Sequence, residues 1–374
     1  MTIKGFATEE GTGRFKDLFG GKLATGHFRQ SQGLWFSSIG IGSYLGEPDG
    51  KTDQLYKEAL KEAIRSGVNV IDSAINYRCQ RSERNFGEAI RELVNKAEIR
   101  RDEIILCTKG GFLPFDGEYP ADPKRYFLKT YIETGLLRPT DIAQGCHAMT
   151  PRYLEDQLSR SLANFGTETV DIYYIHNPET QLAEVDKKEF VKRLQAAFEF
   201  LEKKVSDGKI RMYGTATWSG YRSSPQSQDY LSLEEINILA REVGGPNHHF
   251  RAVQLPVNLV MPEAWVLQNQ RYGAGTIPFL EAARKLGLLV TASASLLQGQ
   301  LTRPFPPEFQ RLFGNLKKSS QCSLQFVRSC PGIMTALVGM KNKGHVQENL
   351  ETANEAPLSE SELTQLFQKS PEPT

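Results

Sequence analysis

Eight short apolar runs rich in β-branched residues alternate with helix-length segments along this chain, and that alternation limits its architecture more than any other feature. The runs fall at residues 39–43, 68–71, 104–108, 170–174, 210–214, 252–255, 288–292 and 334–338. Helical patterning fills residues 52–66, 83–95, 151–165, 187–206, 233–242, 277–286 and 319–329. Parallel strands joined by helices need both faces covered, so this order predicts one (β/α)8 TIM barrel, with an open doubly wound sheet as the alternative. Thr52 is placed to cap the first helix, Pro151 suits a first turn, and Gly67 and Gly208 suit helix ends.

The barrel is expected over residues 27–355, after an N-terminal extension (1–26) and before a C-terminal tail (356–374). Two βα loops are long, 112–150 and 261–276. The first interleaves Phe112, Phe115, Tyr119, Tyr126, Phe127 and Tyr131 with charges, enough aromatic surface to pack down as a lid.

Charge and composition exclude several partners. With 45 basic against 44 acidic side chains among 374 residues, no cationic excess exists to neutralise nucleic-acid phosphates or an anionic membrane surface. No apolar stretch approaches the ~20 residues that span a bilayer. Cysteines 79, 107, 146, 322 and 330 form an odd set without a Cys-x-x-Cys pair, which fits a reducing, cytoplasmic setting. The six histidines offer no metal-binding spacing, so no metal is expected. Gly40 and Gly42 begin a Gly-x-Gly whose third glycine position holds Leu45, so the Rossmann fingerprint fails.

Chemistry concentrates at three strand ends, where Asp72, Lys109 and His176 close consecutive apolar runs, with Tyr77 five residues past Asp72. In a barrel, such ends surround one mouth, the face where these folds work. A phenol titrates near ~10, too high for an efficient donor at neutral pH, and a neighbouring ammonium lowers that value. Lys109 would supply the field, Asp72 its counter-charge, and His176 would orient a substrate oxygen. Tyr44, Phe112 and Trp218 fall just beyond strand ends as candidate pocket walls, and Cys79 reads as a loop cysteine.

These residues sit in motifs that resemble the aldo-keto reductase superfamily: Asp-Ser-Ala-x-x-Tyr at 72–77, Ser82-Glu83 with Gly87, Thr108-Lys109, and Asp171-Ile-Tyr-Tyr-Ile-His176. The likeness runs over residues 27–354 and implies a catalytic tetrad of Tyr77, Asp72, Lys109 and His176. It also implies NADPH/NADP+ across the mouth, with NADH possible. Gly42, Ser43 and Tyr44 would border the cofactor, and Gln254 would lie near its carboxamide. The family's Ser-Asn pair reads Ala216-Thr217, and its stacking aromatic corresponds to Ser293, followed by Ala294. Gln298-Gly299 resembles the pyrophosphate loop. Gly339, Met340 and Lys341, then His345, Glu348 and Asn349, resemble the adenosine site, with His345 where an arginine is usual.

The implied activity is NADP-dependent reduction of an aldehyde or ketone to an alcohol, or the reverse, on a small-molecule carbonyl or alcohol substrate. Two other readings stand beside it: a non-turnover NADPH-binding module, and a Lys109 Schiff-base lyase or aldolase on the same barrel.

Overall fold

In the computed structural model, which describes residues 2–368, eight parallel strands close into a barrel with helices around it. The barrel strands are β1 (Ile39–Gly42), β2 (Val70–Asp72), β3 (Ile105–Gly110), β4 (Val170–His176), β5 (Ile210–Ala216), β6 (Phe250–Pro256), β7 (Leu289–Ser293) and β8 (Ile333–Gly339). The helices that follow them in turn are α1 (Gly50–Arg65), α2 (Arg81–Asn95), α3 (Pro151–Phe165), α4 (Lys187–Ser206), α5 (Leu233–Gly244), α6 (Phe279–Lys285), α7 (Ser319–Ser329) and α8 (Lys343–Leu350). Each strand pairs with the next in sequence and β8 returns to β1, where Gly339 stands beside Gly42. This is the (β/α)8 TIM barrel and not the open sheet.

Two apolar layers hold it. Between strands and helices lies the larger core, which includes Ile39, Ile71, Tyr173, Phe198 and Val338. Inside the barrel, Val70, Ile105, Cys107, Ile172, Tyr174, Met212, Ala252 and Leu289 form a second, smaller one. Side chains alternate along a strand, so each second residue past this inner layer also points inward, now at the open end. Asp72 follows Val70, Lys109 follows Cys107, and His176 follows Tyr174 by that step. Leu34 and Phe36, from an antiparallel hairpin (Phe28–Ser31 with Leu34–Ser37), pack into the inner layer together with Ala7. A helix at Glu9–Leu18 lies against this hairpin.

Local chemistry explains several departures from the sequence reading. Asp49, not Thr52, caps α1, its carboxylate accepting from the Thr52 N–H at 2.7 Å. The helix expected from residue 277 starts at Phe279, because Pro278 biases its predecessor toward extended backbone and Ile277 instead pairs with Gln270. That hairpin (Gln270–Tyr272 with Gly275–Ile277) and a short helix at Glu263–Val266 occupy the stretch read as a long loop. Helix α8 escaped the periodicity because only Val346 and Leu350 give its eight residues an apolar side. Pro151 and the glycines behave as read: Pro151 opens α3, and Gly67 and Gly208 take φ of 95° and 68° just past helix ends.

The 112–150 insertion is folded, with a short helix at Pro123–Phe127 and its own apolar cluster of Leu113, Tyr131, Leu137, Ala148 and Tyr153. Phe115 stacks on Phe127 at 4.9 Å. At the C-terminal end a helix spans Glu360–Gln368 and buries Leu363 and Leu366. Residues 369–374 of the expected tail lie outside the described residues. Among the described residues, no helix is long and apolar enough to cross a membrane.

Candidate active site

The barrel brings the four expected residues to one mouth. Lys109 Nζ donates to Asp72 Oδ2 at 2.5 Å and to the Ser73 carbonyl at 2.7 Å, with both side chains of the pair almost wholly buried. The same ammonium lies 5.0 Å from the centroid of the Tyr77 ring. Tyr77 meets His176 edge-on at 5.9 Å and Tyr44 at 5.0 Å. Gln254, expected near a carboxamide, directs its amide N–H groups to Asp72 Oδ1 at 2.9 Å and Thr291 Oγ1 at 3.3 Å. Both oxygens of Asp72 are therefore occupied.

Burial disfavours the Lys109 ammonium, but the charge and hydrogen bond of Asp72, with the charge Tyr77 carries once it is a phenolate, outweigh it, and its pKa rises above the ordinary lysine value. Tyr77 departs from expectation. Burial raises its pKa above the usual phenol value, and the opposing pull of Lys109 leaves the net direction upward, with Asp72 adding to the rise. The ammonium lowers the cost of a phenolate here without bringing the phenol below its ordinary range. His176 is pushed well below its usual value, first by burial and then by the charge of Lys109, so it is neutral at physiological pH. Its Nδ1 is buried and has no hydrogen-bond partner among the described residues.

The surrounding motif residues prove to be braces. Glu83 is buried, accepts from Thr108 Oγ1 at 2.6 Å and Asn164 Nδ2 at 2.8 Å, and so ties α2 to the end of β3. Ser82 Oγ donates to the Ser43 carbonyl at 2.8 Å, fixing the end of β1. Gly87 lets α2 meet α3, since a Cβ there would lie 2.4 Å from the Phe165 carbonyl oxygen. Asp171 accepts from Arg101, Ala7 N and Leu106 N at the far end of β4.

One contributor gave no sequence signal. His147, buried at the end of the 112–150 insertion, hydrogen-bonds the His176 carbonyl through Nε2 at 2.7 Å. Its Nδ1 accepts from Gln181 Nε2 at 2.8 Å, which fixes Nε2 as the protonated nitrogen. Burial holds this ring neutral, with its pKa down to about 4. Phe112 stands edge-on to both histidines, 5.3 Å from His147 and 5.0 Å from His176. Trp218, by contrast, is half-exposed on the β5 side, its backbone N–H held by Glu179.

Around the rim, Ala216 ends β5 and Thr217 follows with a buried Oγ1 that has no partner among the described residues. Ser293 ends β7, and Ala294 and Gln298 take positive φ of 52° and 53° before Gly299. Gly339 ends β8 with open space where a Cβ would stand, and Met340 turns fully inward. Lys341 is exposed just ahead of α8, on which His345 is exposed, Glu348 accepts from Ser320 at 2.7 Å and Asn349 is buried. The rim thus offers an orphaned hydroxyl, uncluttered backbone and a helix N-terminus beside a cation, a set suited to an amide and phosphates.

The Aldo/keto reductase family profile matches residues 38–240, more than half of the sequence, and the chain belongs to that family. Among curated relatives, the uncharacterized oxidoreductase YqkF of Bacillus subtilis is 23% identical over 348 residues, covering 89% of this chain and 92% of its own. L-glyceraldehyde 3-phosphate reductase of Escherichia coli K12 is 23% identical over 355 residues, covering 88% and 87%. Two solved structures share the fold. An aldo/keto reductase from Klebsiella pneumoniae in complex with NADP and acetate has a TM-score of 0.60 at 20% identity, covering 94% of this chain and 97% of that one. The glycerol dehydrogenase of Gluconobacter oxydans has a TM-score of 0.65 at 19% identity, covering 94% and 99%.

Proposed function

We propose that this protein is an NADP-dependent carbonyl reductase that converts an aldehyde or ketone to an alcohol, or runs the reverse, at the Tyr77–Lys109–Asp72–His176 mouth. The observation that carries the reading is the buried Lys109–Asp72 pair directly beneath the Tyr77 ring. The NADP bound in the Klebsiella pneumoniae relative and the partnerless Thr217 hydroxyl at this rim support the cofactor. Ala216, Thr217 and Gln254 would hold its amide end, Ser293, Ala294, Gln298 and Gly299 its pyrophosphate, and Lys341 with the α8 N-terminus a terminal phosphate. Gly42, Ser43 and Gly339 leave room for it at the β1 and β8 ends.

When bound, the reduced nicotinamide supplies a hydride to the carbonyl carbon. The chain's own residues handle the oxygen. His176, neutral, donates an N–H to the carbonyl oxygen and orients it. Tyr77 gives its proton as negative charge grows there, and Lys109 stabilises the phenolate left behind. Asp72 keeps Lys109 charged, and Gln254 keeps Asp72 aimed. A phenol with a raised pKa stays protonated through neutral pH, the state a donor needs.

The Schiff-base reading needs a neutral lysine, whereas Lys109 is held as a cation by Asp72 and Ser73. The non-turnover reading draws on Ala216, Thr217 and Ser293, which depart from the family's usual contacts. An NADPH-oxidation screen across aldehydes and ketones separates all three. Turnover is expected; tight NADPH binding with no oxidation of any compound contradicts the reductase reading, and borohydride trapping of a carbonyl on Lys109 replaces it with the lyase.

A further inference from the structure

Beside the mouth, where β4 and β5 end, lies a cavity of about 520 Å³. In the closed strand order β4 stands across the ring from β8, so this cavity lies at the side of the barrel opposite the 339–349 segment assigned to the cofactor. It begins at Asn177, the residue after His176, and reaches to Trp218. A substrate with its carbonyl at Tyr77 and His176 would extend its far end here.

Amide, hydroxyl and carboxylate side chains share the lining with Leu182, Ala183 and Trp218, and several of them have unspent hydrogen-bonding capacity. Among the described residues, the side chains of Gln144, Asn177 and Thr180 make no hydrogen bond, and Gln228 uses only its nitrogen, which donates to the Leu182 carbonyl at 2.7 Å. Glu179 is 6% exposed, and its Oε1 accepts from the backbone N–H groups of Trp218, Ser219 and Gly220 at 2.7, 3.1 and 3.4 Å. Its Oε2 has no partner, an acceptor left just behind the cavity wall. The Trp218 indole, 45% exposed, stands at the edge. Among the described residues, no lysine, arginine or histidine lines the space, while Glu179 and Asp229 both do.

We propose that this cavity is a subsite for the hydroxyl-rich, uncharged far end of the substrate, so that the enzyme selects polyhydroxylated carbonyl compounds over phosphorylated or apolar ones. The proposal rests on the reductase reading and names the substrate class for it. Hydroxyl groups donate and accept at once, which matches a wall of amides, a threonine hydroxyl and a carboxylate. An apolar tail would strand those groups away from water without partners. A phosphate would face two carboxylates with no cation among the lining side chains. The indole face offers a flat apolar surface for the C–H side of a sugar chain.

Three four-carbon aldehydes test this with the full-length protein and NADPH: D-erythrose, the same sugar phosphorylated at its far end, and butanal. The expected kcat/KM for erythrose exceeds that for the phosphorylated sugar by about tenfold or more, the effect of one or two hydrogen bonds against an unpaired anion. In Thr180→Val/Gln228→Leu, the ratio of kcat/KM for erythrose to that for butanal falls about tenfold. An unchanged ratio, or a phosphorylated sugar that is as good a substrate as erythrose, overturns the subsite. Calorimetry with erythritol, which needs no turnover, gives binding that the double variant weakens, and absence of binding to the native protein also overturns it. Failure of the protein to reduce any carbonyl compound defeats the reductase reading instead, and erythritol then decides the subsite alone.

Discussion

At the residue scale, each group of the candidate tetrad depends on a neighbour that holds its charge state or its direction. Lys109 stays charged because Asp72 is there, and His176 stays neutral because burial and that same ammonium oppose its protonation. His147 fixes where His176 stands by hydrogen-bonding its carbonyl. His147→Leu is therefore expected to lower kcat/KM by about tenfold, the loss of roughly one buried hydrogen bond at a positioned group. His147→Gln, which keeps an N–H donor and an acceptor, is expected to recover much of it. Equal activity in the two variants would separate His147 from the chemistry. The meeting of these four residues at one mouth was legible in the sequence because ionisable residues at the ends of apolar runs stand out. His147 was not, since its partners His176 and Gln181 lie about thirty residues away and only the folding of the insertion brings them together. The pKa of Tyr77 was misread for a related reason: a motif reveals the neighbouring cation but not the depth of burial that opposes it.

Elements in this fold carry function through their ends. Helix α2 packs against α3 only because Gly87 has no side chain. Gly87→Ala drives a methyl against backbone that cannot yield cheaply, and an expected loss of about 1–3 kcal/mol would register in urea unfolding. Unaltered stability would mean that the two helices part without cost. The start of α8 makes a second case. Lys341 stands exposed just ahead of it and has no ion-pair partner among the described residues. In our reading it meets the ribose phosphate that distinguishes NADPH from NADH, so Lys341→Ala is expected to weaken NADPH binding about tenfold more than NADH binding. Equal losses in fluorescence titrations would remove that assignment. Strand and helix alternation was readable along the chain, but boundaries shifted wherever one side chain decided them, as at Asp49 and Pro278.

The whole molecule closes its barrel at one end with the 28–37 hairpin and keeps the other open, and a buried histidine braces the closed end. His27, fully buried, hydrogen-bonds the Gly67 carbonyl through Nε2 at 3.0 Å and Ser38 Oγ through Nδ1 at 3.2 Å. Burial lowers its pKa from 6.5 to about 4. The unfolded chain therefore binds a proton that the folded chain refuses, so stability falls as pH drops from 6.5 toward 4 and this contribution then levels off. Across that window the native protein is expected to lose stability faster than His27→Gln, by up to about 1.4 kcal/mol per pH unit. Parallel pH profiles of urea unfolding would contradict this. Sequence patterning announced the eight-stranded ring but not its plug, because the two four-residue strands of the hairpin give too short an alternation to separate from a loop.

The central claim is that Tyr77 supplies the proton. Single-turnover reduction of a reactive aldehyde by Tyr77→Phe loaded with NADPH tests it most directly, because product release does not enter the rate. The account predicts a fall of about 10²- to 10⁴-fold, the usual worth of a general acid, with NADPH affinity nearly unchanged. A rate within a few-fold of the native protein would contradict it.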